Sequence, residues 1–193
     1  LLKENKMAEN HPNEIATFKN AFDGGTRPNR FVISGTIGQP VGDAVESLLV
    51  KAGQVPAQTL GILQVPFRGR VAKLPGDRTY AEWTFTMVDT TGAESGRNFR
   101  REFESWHESF NKHKENIVEA QGVLNGTNED FYTQWTVQQL DMSGTVIPDR
   151  TISLINCWPV EVGAIDLSYD AADTITEYTV TLAYDYLELK ASI

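Results

Sequence analysis

Between residues 175 and 189 the chain alternates apolar and polar side chains for longer than anywhere else: Tyr178, Val180, Leu182, Tyr184 and Tyr186 against Glu177, Thr179, Thr181, Ala183 and Asp185. Successive side chains of a strand point to opposite faces, so a period of two specifies a half-buried β-strand and no helix. The period recurs at 79–88, where Trp83, Phe85 and Met87 oppose Glu82, Thr84 and Thr86, and at 131–140, where Phe131, Trp135 and Val137 oppose Tyr132, Gln134, Thr136 and Gln138. One stretch has helical spacing instead. Phe99, Phe103, Trp106 and Phe110 recur every three or four residues and form a single apolar stripe, which predicts a helix over 96–113 packed on a sheet. Ser95 suits its N-cap, and the opposite face, with Arg97, Arg100, Arg101, Glu104 and Glu108, can form i,i+4 pairs and is otherwise expected to be solvated.

Shorter signals fill the rest. Residues 31–35 have strand composition; 60–71 reads as a strand with Pro66 at an edge or bulge; 74–77 (Leu-Pro-Gly-Asp) reads as a turn. Residues 151–158 form a further strand that Pro159 ends, 165–169 is extended, Asp141–Gly144 and Asn125–Asn128 are turns, and 45–50 fits strand or helix equally. Strands and helix never alternate regularly, so a parallel βαβ sheet is excluded. The expected fold is mainly β: an antiparallel β-sandwich or barrel with one packed amphipathic α-helix. Residues 1–28 read as a flexible N-terminal arm, 29–193 as a single domain, and 35–58 as a long loop, a division that suits 193 residues.

Composition narrows the chemistry. The single cysteine, Cys157, excludes an internal disulfide framework and a multi-thiolate zinc cage; between Asn156 and Trp158 it reads as a small buried hydrophobe. His107 and His113 are six apart, outside the spacing by which one helix face holds a metal, and His11 stands alone. No Gly-Lys-Ser/Thr phosphate loop follows the glycines at 35, 38 and 42. No apolar run approaches 18 residues and no charged-then-apolar leader opens the chain, so neither a membrane span nor secretion is expected. No cofactor, metal or catalytic residue is expected.

The charge is uneven. The net charge is −9, and from Pro159 onward seven acids face Lys190 alone, which places −6 of the −9 there. The polar faces of the three clearest strands hold Thr, Gln, Glu and Asp and no lysine or arginine. Such surfaces lack the cations that bind nucleic-acid phosphate.

Four stretches resemble the tail tube proteins of contractile-tailed (myovirus) bacteriophages, which are related in fold to the type VI secretion tube protein. The widest runs from Pro159-Val160-Glu161-Val162-Gly163 through Ile165-Asp166-Leu167-Ser168-Tyr169-Asp170 to Asp173-Thr174-Ile175-Thr176-Glu177-Tyr178-Thr179-Val180-Thr181-Leu182. The others are Asn29-Arg30-Phe31-Val32, Val65-Pro66-Phe67-Arg68-Gly69-Arg70 leading into Leu74-Pro75-Gly76-Asp77 and Trp83-Thr84-Phe85-Thr86, and Arg97-Asn98-Phe99 with Trp106. The resemblance implies a non-enzymatic virion protein whose sheets join between subunits in hexameric rings, the rings stacking into the inner tube of a contractile tail. It implies as partners further copies of the chain, the tail sheath protein, baseplate and tail terminator proteins, and a tape-measure protein and then genomic DNA in the lumen. Assembly would take place in the host cytoplasm. On this reading the cation-free faces make Glu82, Thr84, Thr86, Glu177, Thr179, Thr181 and Asp185 candidate lumen-lining residues, and the 35–58 loop a candidate ring-to-ring contact. Alternatives are a type VI secretion or baseplate-proximal tube subunit of the same fold and, from a different class, a β-sandwich carbohydrate-binding module or glycosidase.

Overall fold

The computed structural model describes residues 15–22, 24–38, 41–45, 47–92, 97–118 and 131–190. The expected cap at Ser95 and the turn at Asn125–Asn128 lie outside them. Helix α1 (Ile15–Phe22) stands within the expected N-terminal arm and buries no residue. Among the described residues nine strands follow: β1 (Phe31–Gly35), β2 (Val50–Gly53), β3 (Gln58–Phe67), β4 (Arg70–Tyr80), β5 (Trp83–Val88), β6 (Thr133–Leu140), β7 (Val146–Val162), β8 (Glu177–Ala183) and β9 (Tyr186–Lys190). Helix α2 (Phe99–Phe110) lies between β5 and β6.

Every named strand pair is antiparallel, in the order β1-β6-β7-β8-β5-β2 with β9 also on β7. The sheet folds on β7. Residues 151–155 of β7 pair with β9, whereas 158–162 pair with β8, so β8 and β9 follow one edge of β7 as a single line bent at Tyr184-Asp185. Opposite that bend Asn156 takes φ 58°, a left-handed conformation that asparagine tolerates better than bulkier residues. One layer is thus β1-β6-β7-β9 and the other β7-β8-β5-β2. Contrary to the sequence expectation, Pro159 does not end β7. It pairs with Leu182 just before a register shift between Pro159 and Glu161, past Cys157, the last β7 residue paired with β6, and prolines are tolerated at such edges and bulges.

The interior fills as the alternations dictate. Trp83, Phe85 and Met87 from β5, Trp135 and Val137 from β6, and Tyr178, Val180 and Leu182 from β8 are all buried. Phe99, Phe103 and Trp106 of α2 enter the same core, with Phe103 ring centroids 6.2 Å from Phe85 and 6.1 Å from Trp135. Phe110 is half-buried against Trp158, Phe131 and Tyr132. The helix is shorter than 96–113, because Asn98 takes the cap: its side chain accepts the Arg101 N–H at 3.0 Å. The expected 35–58 loop is tied into the body. Thr36 bridges Ala44, Ile37 and Val45 are buried, a 3-10 turn at Ser47–Leu49 leads into β2, and Leu48 projects into solvent.

The greatest departure from expectation is β3–β4. The turn falls at Arg68-Gly69, both with positive φ (44° and 79°), the geometry of a two-residue hairpin turn. Leu74-Pro75-Gly76-Asp77 stays inside β4, beside a register shift at Leu60/Ile62 where the Gly61 and Gly76 backbones pass closely. Pro66 and Pro75 are tolerated because both strands of this two-stranded sheet are edges. Residues 79–88 are therefore two strands, with Ala81-Glu82 as the joint between hairpin and body.

Candidate functional site

Two surfaces stand out: a polar sheet face and an unsupported hairpin. On β5 and β8 the residues that alternate with the core face outward in register, Thr84 opposite Thr181, Thr86 opposite Thr179 and Val88 opposite Glu177. The Thr84 and Thr181 hydroxyls are 3.2 Å apart, and Glu161 of β7 pairs with Thr181 on its other flank. Five of the seven candidate lumen residues, Thr84, Thr86, Glu177, Thr179 and Thr181, thus come together on one face.

Glu82 and Asp185 lie apart from it. Glu82 is exposed in the joint before β5. Asp185 sits at the bend between β8 and β9, where its carboxylate accepts Asn156 Nδ2 at 2.8 Å and its N–H donates to Ile155 O at 3.1 Å. Burial first, and the Asp185 charge second, raise the Tyr132 phenol above its ordinary value. The polar face of β6, with Gln134, Thr136 and Gln138, belongs to the other layer.

Sequence reasoning missed the cation beside this face. Lys51 of β2 pairs with Glu177, Nζ to Oε1 at 2.5 Å. No local pattern joins residues 126 apart in the chain; the pairing of β5 with β2 on one side and β8 on the other does. On the polar side of α2 one expected i,i+4 pair forms, Arg100 Nε to Glu104 Oε1 at 2.9 Å, but the ties this side makes to other segments were not foreseen. Arg97 grips Glu102 at 2.6 Å, donates to Ala44 O at 2.9 Å and covers the Phe99 ring, tying the 41–45 segment to the helix. Arg100 donates to Gly163 O at 2.9 Å, so this side of the helix is structural and not merely solvated. His107 and His113 stack with ring centroids 6.3 Å apart, a contact their six-residue spacing did not suggest.

Cys157 is buried, and burial pushes its thiol up to about 12, as fits a small hydrophobe and not a nucleophile. Trp106 Nε1 donates to Phe131 O at 2.8 Å, so that tryptophan is committed to the core.

The hairpin is the second surface. Apolar residues along both its strands, Ile62 (64% exposed) and Phe67 (66%) among them, have no partner layer among the described residues. An isolated two-stranded hairpin is at best marginally stable in water, and exposed strand edges invite pairing with another chain.

This two-layer antiparallel body with one helix in its core is similar in fold to chains of contractile injection systems. The protein resembles a chain of an extracellular contractile injection system, the PVC sheath-tube complex in its extended state, with a TM-score of 0.60 at 14% identity over 93% of this chain and 100% of that one. A chain of the anti-feeding prophage tube-terminating cap matches with a TM-score of 0.58 at 17% identity, over 86% of this chain and 91% of that one. The sequence profile of the phage tail tube protein family matches residues 27–189, and the chain belongs to that family. The tail tube protein gp19 of Enterobacteria phage T4 is 27% identical over 173 residues, 87% of this chain and 95% of the relative. The tail tube protein of Serratia phage KSP90 is 25% identical over 137 residues, 71% of each. The protein is a structural tail tube component.

Proposed function

We propose that this chain assembles into stacked hexameric rings that form the inner tube of a contractile phage tail, the conduit for DNA ejected into the host. The observation that carries the reading is the β3–β4 hairpin, whose 10- and 11-residue strands expose apolar side chains that nothing among the described residues covers, a surface open to another molecule. Closed rings of identical subunits satisfy such a surface without leaving free ends. Unpaired edges on β1, β2 and β9 offer places where sheets of neighbouring copies join.

In the tube the face of Thr84, Thr86, Glu177, Thr179 and Thr181 lines the channel, with Glu82 and Asp185 at its borders. Threonine hydroxyls and carboxylates give DNA phosphates no counter-charge, so the sequence-independent attraction that arrests DNA on basic proteins is absent. The pairing of Lys51 with Glu177 supports this, since the cation at the margin is neutralised. Leu48, exposed beyond the anchored part of the 35–58 segment, contacts the next ring. The sheath surrounds the tube, the baseplate and terminator close its ends, and a tape-measure protein fills it before DNA does. Its role is structural and not catalytic, in the virion after assembly in the host cytoplasm.

Negative-stain electron microscopy of the purified chain tests the assembly: rings or tubes of constant bore are expected, and a monodisperse monomer at high concentration overturns it. A map of the tube with Thr84 and Thr181 turned away from the channel overturns the lumen assignment.

A further inference from the structure

The 163–176 loop between β7 and β8 forms a second exposed surface, and it matches the hairpin in chemistry. Its limbs enclose an open cleft of about 300 Å³ lined by Ile165, Leu167 and Ile175 among others, and Leu167 is 88% and Ile175 73% exposed. Asp166 lines the same cleft, and Asp170 and Asp173 stand exposed in the same loop, which holds no lysine or arginine. The hairpin carries the opposite charge. Arg68, Arg70, Lys73 and Arg78 stand against Asp77 alone, a net charge of +3 in a protein of −9. Among the described residues, none of these four cations and none of the three loop aspartates lies within salt-bridge distance of an opposite charge.

We infer that the 163–176 loop is the seat for the β3–β4 hairpin of a second copy of this chain. Three facts converge on that occupant. Each surface exposes large apolar side chains that a monomer leaves in water. Each bears a net charge, and the signs are opposite. Both belong to the same polypeptide, so one contact repeated around an assembly covers both at once. Phe67, with Arg68 over its ring at the hairpin tip, is the apolar anchor, and the flanking cations meet the loop aspartates around it. The inference rests on the self-assembly proposed above and identifies the surface that receives the hairpin.

A charge-swap series in the full-length chain tests it, with tube assembly followed by light scattering and microscopy. Reversing the hairpin (Arg70→Glu with Lys73→Glu) or the loop (Asp166→Lys with Asp170→Lys) places like charges together. Either change is expected to raise the critical concentration about tenfold or more, while the thermal melt of the subunit stays unchanged. Combining both sets in one chain restores assembly. Independently, Phe67→Cys with Leu167→Cys gives disulfide-linked oligomers on mild oxidation, since native Cys157 is buried. Single reversals that assemble like the parent, a combined variant no better than either, or absence of the cross-link in assembled tubes would each overturn the contact. A parent chain that forms no rings or tubes overturns the assembly reading instead.

Discussion

Asn156 and Asp185 lock the corner of this fold: the asparagine, at φ 58°, donates Nδ2 to the Asp185 carboxylate at 2.8 Å. They stand where β7 passes from one layer to the other and where the β8–β9 line bends. A side chain there must tolerate the left-handed region and also reach across the bend.

Asn156→Val meets neither requirement. A β-branched residue forced to positive φ is expected to cost about 1–3 kcal/mol. Asn156→Gly keeps the backbone and loses only the hydrogen bond. Thermal unfolding of the two variants checks the order: the valine variant melts well below the glycine variant, and equal melting would show that the left-handed backbone is not the constraint.

Gly38 gives a second steric test. A β-carbon there would stand 2.2 Å from Trp106 Nε1 and 2.6 Å from Phe131 O. Gly38→Ala must push the indole off its hydrogen bond to Phe131 or displace the segment, at about 1–3 kcal/mol by overpacking. Trp106→Phe in the Gly38→Ala background relieves the clash, so the two changes are expected to be less than additive in a double-mutant cycle. Strict additivity would separate the two positions.

Cys157 predicts a pH dependence whose sign follows from burial. Its folded thiol titrates near 12, above the ordinary thiol of an unfolded chain, so the protonated form is favoured in the fold. The resulting stabilisation is complete below the unfolded pKa and is lost as pH rises toward 12. Native protein at pH 8 is expected to react with a thiol reagent only as fast as it unfolds, and Cys157→Ala to flatten the alkaline part of the stability curve. Rapid labelling of the native state would contradict this burial.

The channel assignment predicts a gain of unwanted function. Thr84→Lys with Thr181→Lys places two cations on the β5–β8 face, where the parent has hydroxyls 3.2 Å apart. Assembled tubes of this variant are expected to retain short DNA duplexes at low salt and release them at high salt, whereas parent tubes retain none. Equal retention by both would remove these threonines from the DNA path.

The aromatic stripe of α2 predicts which truncations matter. Phe103, fully buried between Phe85 and Trp135, is expected to cost about 3–5 kcal/mol on change to alanine. Phe110, half-buried at the helix end, costs less. Denaturant unfolding ranks the pair, and a reversed rank would mean that the helix end and not its middle carries the packing.

The local periodicities were readable from the chain alone. Side chains of period two at 83–88 and 177–183 and of period 3.6 at 99–110 each need one apolar face buried, and that requirement holds whatever the neighbours are. From them came the mainly antiparallel fold, the core aromatics and five residues that meet on one polar face. What tertiary structure decided is non-local. The turn fell at Arg68-Gly69 and not at Leu74–Asp77, because a two-stranded projection has only edges and tolerates Pro75 within a strand. Pro159 stayed inside β7, beside a register shift and past the last residue paired with β6, where a strand tolerates proline. Lys51 met Glu177, and Arg97 and Arg100 became ties, through contacts between segments far apart in sequence. A chain's own pattern states which face of each element must leave water; which elements then share a layer, and which charges that sharing brings together, follows only when all of them pack at once.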